Sequence, residues 1–269
     1  MFEENADDDS QVDYTLKRLF AYQSDRSQTI SFLTSANYWW DAEIIMRSFY
    51  ETHAKIWLIC QSKPGDRQAL VEEFWGAFAE LNARKKAERA KQGAEVFKEN
   101  SRPYEAAVYQ TLGNSDLYDF HEGNRKERKA LEQKWSFSEI LKTLEENSDN
   151  SFPLNGVGAL RHMYGQQSHL IHADENALDL MLDRRLRTPE EHELLVCSHV
   201  CRIFGDQASL WTFSTSALRH RYGLTGDRKS HRWKLWKQLH ELIEPVSQRF
   251  ADSQKEFYDS YESQDGSAS

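Results

Sequence analysis

The chain has 269 residues, of which 39% are hydrophobic and 29% charged, with a formal net charge of −9. That length supports a substantial core in one large or two small domains, and the absence of an uninterrupted apolar run of about 18 residues argues against a membrane-spanning helix. Three cysteines without a CxxC pair argue against a disulfide framework and against structural zinc.

The charge is unevenly spread. Six acidic residues (Glu3, Glu4, Asp7, Asp8, Asp9, Asp13) fall within residues 1–13. Between Arg219 and Lys237 seven Lys/Arg stand against Asp227 alone, a local charge of 7 − 1 = +6. Acidic ends around a basic segment leave room for an anionic partner. The acidic N-terminus has no apolar h-region and does not read as a signal peptide. With the cysteines read as reduced core residues, the expected location is cytoplasmic.

Five prolines, twelve glycines and a lack of sustained alternation give the texture of long helices joined by short loops. The expected fold is all-α, a single-domain helical bundle of about six to eight helices. Residues 1–10 form a disordered acidic N-terminus, 11–261 the helical domain, and 262–269 a disordered tail. A first helix is expected over 12–33. The second, 37–60, is the longest strongly apolar segment and starts at Asn37 as N-cap. It carries apolar residues on nearly every side, as a central helix does, yet Glu43, Arg47, Glu51 and Lys55 recur every fourth residue along one face. A third helix runs over 67–92, its charged second half projecting into solvent. Residues 99–126 hold one short helix after Pro103. A helix over 126–146 has Trp135, Phe137, Ile140, Leu141 and Leu144 as its apolar face. Another spans 156–171, and Arg184 to Pro189 forms a loop. Thr188 as N-cap with Pro189, Glu190 and Glu191 starts the next helix, which ends on a glycine. The final helix, 230–261, contains Pro245 as a kink site. The Trp233/Trp236 pair reads either as core packing or as a partner surface.

The densest chemistry lies in LRHMYGQQSHLIHAD, residues 160–174. On a helix Tyr164, Ser168 and His172 form one line, and His169 and His172 share a face. Metal binding by His169 and His172 would need further ligands, such as Asp174 or Glu51. Acid–base chemistry by His172, assisted by Ser168 or Tyr164, is the second reading. The third is structural: the line hydrogen-bonds to the charged stripe of the central helix, so that Arg47 and Glu51 meet Tyr164, Ser168 and His172. No phosphate-loop, dinucleotide, zinc-protease or nucleophile-elbow motif occurs, and neither a cofactor nor a metal is expected.

Three blocks carry a family resemblance: IIMRSFYETHAKIWL (44–58), KWSFSEILKTL (134–144) and MYGQQSHLIHAD (163–174). Together, over residues 37–175, they resemble an all-helical bacterial family of unknown function. The residues that match its pattern are Arg47, Glu51, Trp135, Tyr164, Ser168 and His172. That family is in turn similar to HEPN domains, helical bundles that often act as metal-independent ribonucleases in toxin and phage-defence systems. The HEPN signature is Arg, four to six residues, then His. Here seven residues separate Arg161 from His169 and ten separate it from His172, a departure from that pattern.

The resemblance implies a homodimeric ribonuclease with Arg47, Glu51, Tyr164, Ser168, His169 and His172 as the catalytic set. His169 or His172 would be the acid/base, and Arg47 or Arg161 would stabilise transition-state charge. Arg161, Arg219, Arg221, Arg228, Lys229 and Arg232 would contact RNA. The alternative is a non-catalytic helical module in a defence or regulatory complex, with a protein partner encoded nearby.

Overall fold

A computed structural model describes residues 10–113, 125–146, 157–224 and 231–265, with side chains described as far as residue 255. Among the described residues the secondary structure is all helical, as expected. It comprises α1 (Ser10–Ser35), α2 (Trp39–Gln61), α3 (Pro64–Trp75), α4 (Ala77–Glu99), α5 (Pro103–Gly113), α6 (Arg125–Lys134), α7 (Phe137–Glu146), α8 (Val157–His172), α9 (Glu175–Leu186), α10 (Pro189–Arg221) and α11 (His231–Asp265). These are more helices than the expected six to eight, and the surplus has local causes. None of them is long and apolar enough to cross a membrane.

The expected third helix is broken at Gly76, whose φ of −91° and ψ of −102° end α3 and start α4. A Cβ there would meet the Glu72 carbonyl oxygen at 2.9 Å, so only glycine permits the break. The expected helix over 126–146 divides at Trp135-Ser136, where the Ser136 hydroxyl accepts a hydrogen bond from the Glu139 amide (3.4 Å) and begins α7 anew. Helix α9 was not expected at all. Its N-cap is Asp174, whose carboxylate accepts from the Ala177 amide at 3.3 Å.

Two other local readings hold, at the two ends of α10. Thr188 and Glu191 form a full capping box at the start of α10. Gly223, at φ +65°, closes its end, with the Gly223 and Leu224 amides donating to the His220 and Arg219 carbonyls. Asn37 is not an N-cap. It takes a left-handed φ of 66° in the turn between α1 and α2, a conformation that asparagine tolerates. Helix α11 contains Pro245 and continues to Asp265, into the segment expected to be a tail. The expected disorder of residues 1–9 and 266–269 lies outside the described residues.

Where one helical domain was expected, contacts divide the chain into two compact units. The first comprises residues 1–15 and 62–140. There α4 packs on α5, and the charged second half of α4 is not wholly solvated, because Ala87, Ala90 and Ala94 are buried. Trp135 is also buried, packs on Phe74 and Phe78, and donates from Nε1 to Glu73 (2.8 Å). This gives the Trp-Ser element of the sequence pattern a structural role.

The second unit comprises residues 16–61 and 141–269. Helix α2 is its centre, lying against α10 and α8, while α11 covers another side of α10. Met46, Phe49, Tyr50, Ile56, Trp57 and Ile59 are each at most 2% exposed. An apolar helix of this kind gains its stability from burial on several sides rather than from one stripe. Trp57 meets Phe213 edge-on at 6.0 Å, and Phe49 lies 6.4 Å from Trp211. His53, fully buried beside Trp57, hydrogen-bonds Ser214, and burial holds its pKa well below the ordinary histidine value. Of the cysteines only Cys60 is a core residue. Cys197 is exposed and Cys201 half-buried, a correction to the sequence reading.

Candidate functional site

The charged stripe of α2 is a series of separate pairings along one helix. At its middle, the Tyr164 hydroxyl on α8 donates to Glu51 Oε1 (2.7 Å) and accepts from an Arg47 Nη (2.9 Å). The Arg47 guanidinium also lies over the Tyr164 ring, 4.3 Å from its centroid, and 3.6 Å from the Glu51 carboxylate. The Arg47 and Glu51 side chains are 23% and 35% exposed, so the cluster is partly screened rather than sealed. Desolvation, and then the Glu51 carboxylate, push the Tyr164 phenol up to about 12. At neutral pH the phenol is a fixed proton donor.

The expected meeting of α2 and α8 therefore occurs through Tyr164. Ser168 and His172 continue the line on α8, but among the described residues neither hydrogen-bonds Arg47 or Glu51, and His172 is exposed. His169 turns elsewhere. Its Nδ1 lies 2.6 Å from Asp174, the N-cap of α9, and this hydrogen bond holds the Asp174 carboxyl below its ordinary value. No group of three or more potential ligands that could hold a metal gathers among the described residues.

The first residue of the stripe, Glu43, has the densest surroundings. It is 2% exposed. Gln167 of α8 donates to it at 3.0 Å, His199 Nε2 of α10 lies at 2.5 Å, and Arg202 of α10 forms an ion pair with it. Arg202 also reaches Asp206 (3.3 Å), which accepts from the Tyr50 hydroxyl at 2.6 Å. Burial raises the Asp206 carboxyl above its ordinary value and raises the Tyr50 phenol well above its own.

The far side of His199 fixes its tautomer. An Arg184 Nη lies 2.7 Å from Nδ1, and a guanidinium can only donate. Nδ1 is therefore the acceptor, and the ring proton sits on Nε2, donating to Glu43. Burial, reinforced by the Arg184 charge, lowers the His199 pKa to about 3. Glu43 pulls the other way, but its charge is already met by Arg202.

The sequence reading missed His199, Arg202 and Asp206. A signal was present, since their i, i+3, i+7 spacing draws a polar line along one face of α10.

This network forms the inner wall of a cleft of about 300 Å³, which Trp40, Met163, Leu170, Leu180 and Phe250 line with apolar surface. Three guanidiniums reach it: Arg184, Arg187 and Arg202. Asp183 grips Arg187 through contacts of 3.1–3.3 Å, and Glu43 and Asp206 hold Arg202. Arg184 differs. The groups it touches, the Trp40 ring at 4.4 Å and the His199 imidazole, are neutral, and the Asp183 carboxylate that grips Arg187 attracts Arg184 without forming an ion pair with it. Its Nε is buried without a hydrogen-bond partner, and desolvation lowers its pKa to about 10.

The expected RNA contacts do not converge on this cleft. Arg161 pairs with Glu145 at 2.7 Å. Arg219 and Arg221 occupy the last turn of α10. Arg232 donates to Ser216 at 3.4 Å, and burial followed by the Arg219 charge lowers its pKa. Arg228 and Lys229 lie outside the described residues. Trp233 and Trp236 pack edge-to-face at 5.4 Å, and Trp236 donates to Ser209 of α10, in line with the packing reading.

The model of a family of unknown function, DUF5677, matches residues 13–190, which is 178 of the 269 positions. The chain belongs to the DUF5677 family. No curated protein and no solved structure matches it. The DUF5677 match takes in the Arg47–Glu51–Tyr164 cluster and Glu43, together with Arg184 and Arg187 of the cleft. It stops short of His199, Arg202 and Asp206 of α10.

Proposed function

We propose that this DUF5677 protein is a helical binding module that takes a phosphate-bearing ligand, a nucleotide or one nucleotide unit of RNA, in the cleft of the second unit. The observation that carries this reading is Arg184, a partly buried cation whose direct contacts are neutral groups, whose attraction to Asp183 is shared with Arg187, and whose Nε has no partner. A buried charge is costly unless it is met by an opposite one, and a planar guanidinium suits a phosphate. The apolar wall of Leu170, Leu180 and Phe250 suits a flat ring, and the volume lies at the small end for ligand pockets.

The test is calorimetric titration of the full chain with nucleoside monophosphates and with a short single-stranded RNA. Binding to wild type, weakened roughly 10- to 100-fold in Arg184→Met, is the expected result for the loss of one charged hydrogen bond. Separate arms for free nucleotide and RNA distinguish the two sources of phosphate. No binding in either arm, or unchanged binding by Arg184→Met, overturns the reading.

A second reading, RNA cleavage, is favoured by the His169–Asp174 pair. A carboxylate on Nδ1 orients the imidazole and leaves Nε2 for proton transfer, with exposed His172 one turn away. Arg47 would supply the cation. Incubation with total RNA is expected to show cleavage that falls about 100-fold or more in His169→Ala and in His172→Ala. Intact RNA, or equal cleavage by wild type and variants, removes this reading.

A further inference from the structure

The cleft of the second unit has a definite charge balance. Apart from His162 and His199, its titratable lining residues are Glu43, Asp183, Arg184, Arg187 and Arg202. Arg202 is met by two carboxylates, Glu43 in an ion pair and Asp206 at 3.3 Å, so it has no positive charge to spare for a ligand. Arg184 and Arg187 share one carboxylate. Asp183 bonds Arg187 at 3.1–3.3 Å and attracts Arg184 without forming an ion pair with it. Two guanidiniums against one carboxylate leave a surplus of one positive charge. Arg184 has the donors to deliver it, because a guanidinium carries five N–H groups and only one Nη is taken up, by His199.

We infer that the cleft selects a phosphodiester monoanion the size of one nucleotide, namely a cyclic nucleoside monophosphate. This deepens the phosphate reading of the cleft and rests on it. A diester spreads a single charge over two free oxygens, which a planar guanidinium can bond in parallel. A phosphomonoester carries nearly two charges above its second pKa of about 6, and di- and triphosphates carry more. The extra charge would face Glu43 and Asp183 with no cation left over, and unmatched charge in a partly desolvated site is costly. Size points the same way, since about 300 Å³ holds one nucleotide rather than a run of them. An RNA strand would also bring neighbouring phosphates. The basic residues expected to meet them begin at Arg219, about 25 Å farther along α10 than Arg202 at 1.5 Å per residue.

Calorimetric titration of the full chain at about pH 8, where the monoester holds both charges, tests it. The ligands are the 3′,5′-cyclic, 2′,3′-cyclic and 5′-monophosphates of one nucleoside at a time, with a short single-stranded RNA as a further arm. The expected result is that a cyclic monophosphate binds about tenfold or more tighter than the 5′-monophosphate of the same nucleoside, and tighter than the RNA. Asp183→Asn frees Arg187 and raises the surplus to two positive charges. It should strengthen 5′-monophosphate binding about tenfold and cyclic binding less, so that the preference shrinks. The Asp183 side chain is 43% exposed and its bond to Arg187 is an i, i+4 helix pair, so the fold tolerates the change, and unchanged helical circular dichroism checks this. A 5′-monophosphate that binds wild type as tightly as its cyclic counterpart overturns the inference. So does RNA binding tighter than either, or a preference unmoved by Asp183→Asn. In those cases the phosphate reading stands as long as Arg184→Met still weakens binding. Absence of binding by every nucleotide and by RNA removes the phosphate reading, and the inference with it.

Discussion

Replacing Glu43 by alanine is expected to lower the free energy of unfolding by roughly 3 to 5 kcal/mol, the range for breaking a buried ion pair from one side. The carboxylate sits at 2% exposure between Gln167, His199 and Arg202, and its removal leaves the Arg202 guanidinium facing a cavity with only Asp206 for company. Urea unfolding followed by far-ultraviolet circular dichroism measures the change, read as a shift of midpoint at constant slope. Glu43→Gln keeps the shape and one acceptor, so its loss should be smaller but still more than 1 kcal/mol. A midpoint unchanged in both variants would show that the α2–α10 contact does not depend on this charge. Removing Arg202 as well should recover part of the loss, because the second deletion takes away the orphaned partner.

Acid should weaken the fold before ordinary carboxylates begin to titrate. In the unfolded chain His199 takes up a proton near its ordinary value of 6.5, whereas in the fold it stays neutral down to about 3. The stability it contributes is therefore fully present above pH 6.5 and is lost progressively as pH falls from 6.5 towards 3, at up to about 1.4 kcal/mol per pH unit. Proton uptake by folded His199 would place its cation against the Arg184 Nη that already donates to Nδ1. Asp206 acts in the opposite sense. Its carboxyl is raised by burial, so protonation above its ordinary range relieves rather than adds strain and offsets part of the slope. Urea midpoints at intervals between pH 7 and 4.5 for wild type and His199→Gln separate the two contributions. The wild type should lose stability more steeply than the variant, and parallel curves would rule out a neutral buried imidazole at this position.

The fold class was legible because it rests on summed local preference. The scarcity of glycine and proline, the apolar run around Phe49 and Trp57 and the Thr188 capping box all act over a few residues, and each has its expected counterpart in the structure. What was not legible depended on single-residue stops. Gly76 reads as a tolerable helix residue until its ψ is known, and Ser136 reads as a helix-interior serine until its hydroxyl is seen capping Glu139. Ala173, which separates α8 from α9 at a φ of +46°, gives no compositional signal, because alanine is among the strongest helix formers.

The candidate site divides in the same way. Arg47, Glu51 and Tyr164 were paired from helical spacing on two segments, and they meet. His169 was grouped with His172 on the basis of spacing, but it bonds to Asp174 across the turn, because the turn at Ala173 brings the N-cap of α9 back onto α8. The Glu43 network could not be assembled from spacing within α2, because its decisive partners lie some 156 positions later in the chain. Regular spacing along α2 suggested a ladder of neighbours, whereas Glu43 bonds across to α10 and leaves Arg47 to Tyr164.

The family match ends at residue 190, two residues into α10. Glu43 lies well inside that boundary, while the two cationic or proton-donating partners that α10 supplies lie beyond it, at His199 and Arg202. A fragment cut at the family boundary would therefore retain a carboxylate built for the interior and discard the groups that make the interior tolerable to it. A fragment meant to preserve the Glu43 network should carry the chain through at least the end of α10, so that the carboxylate keeps His199 and Arg202.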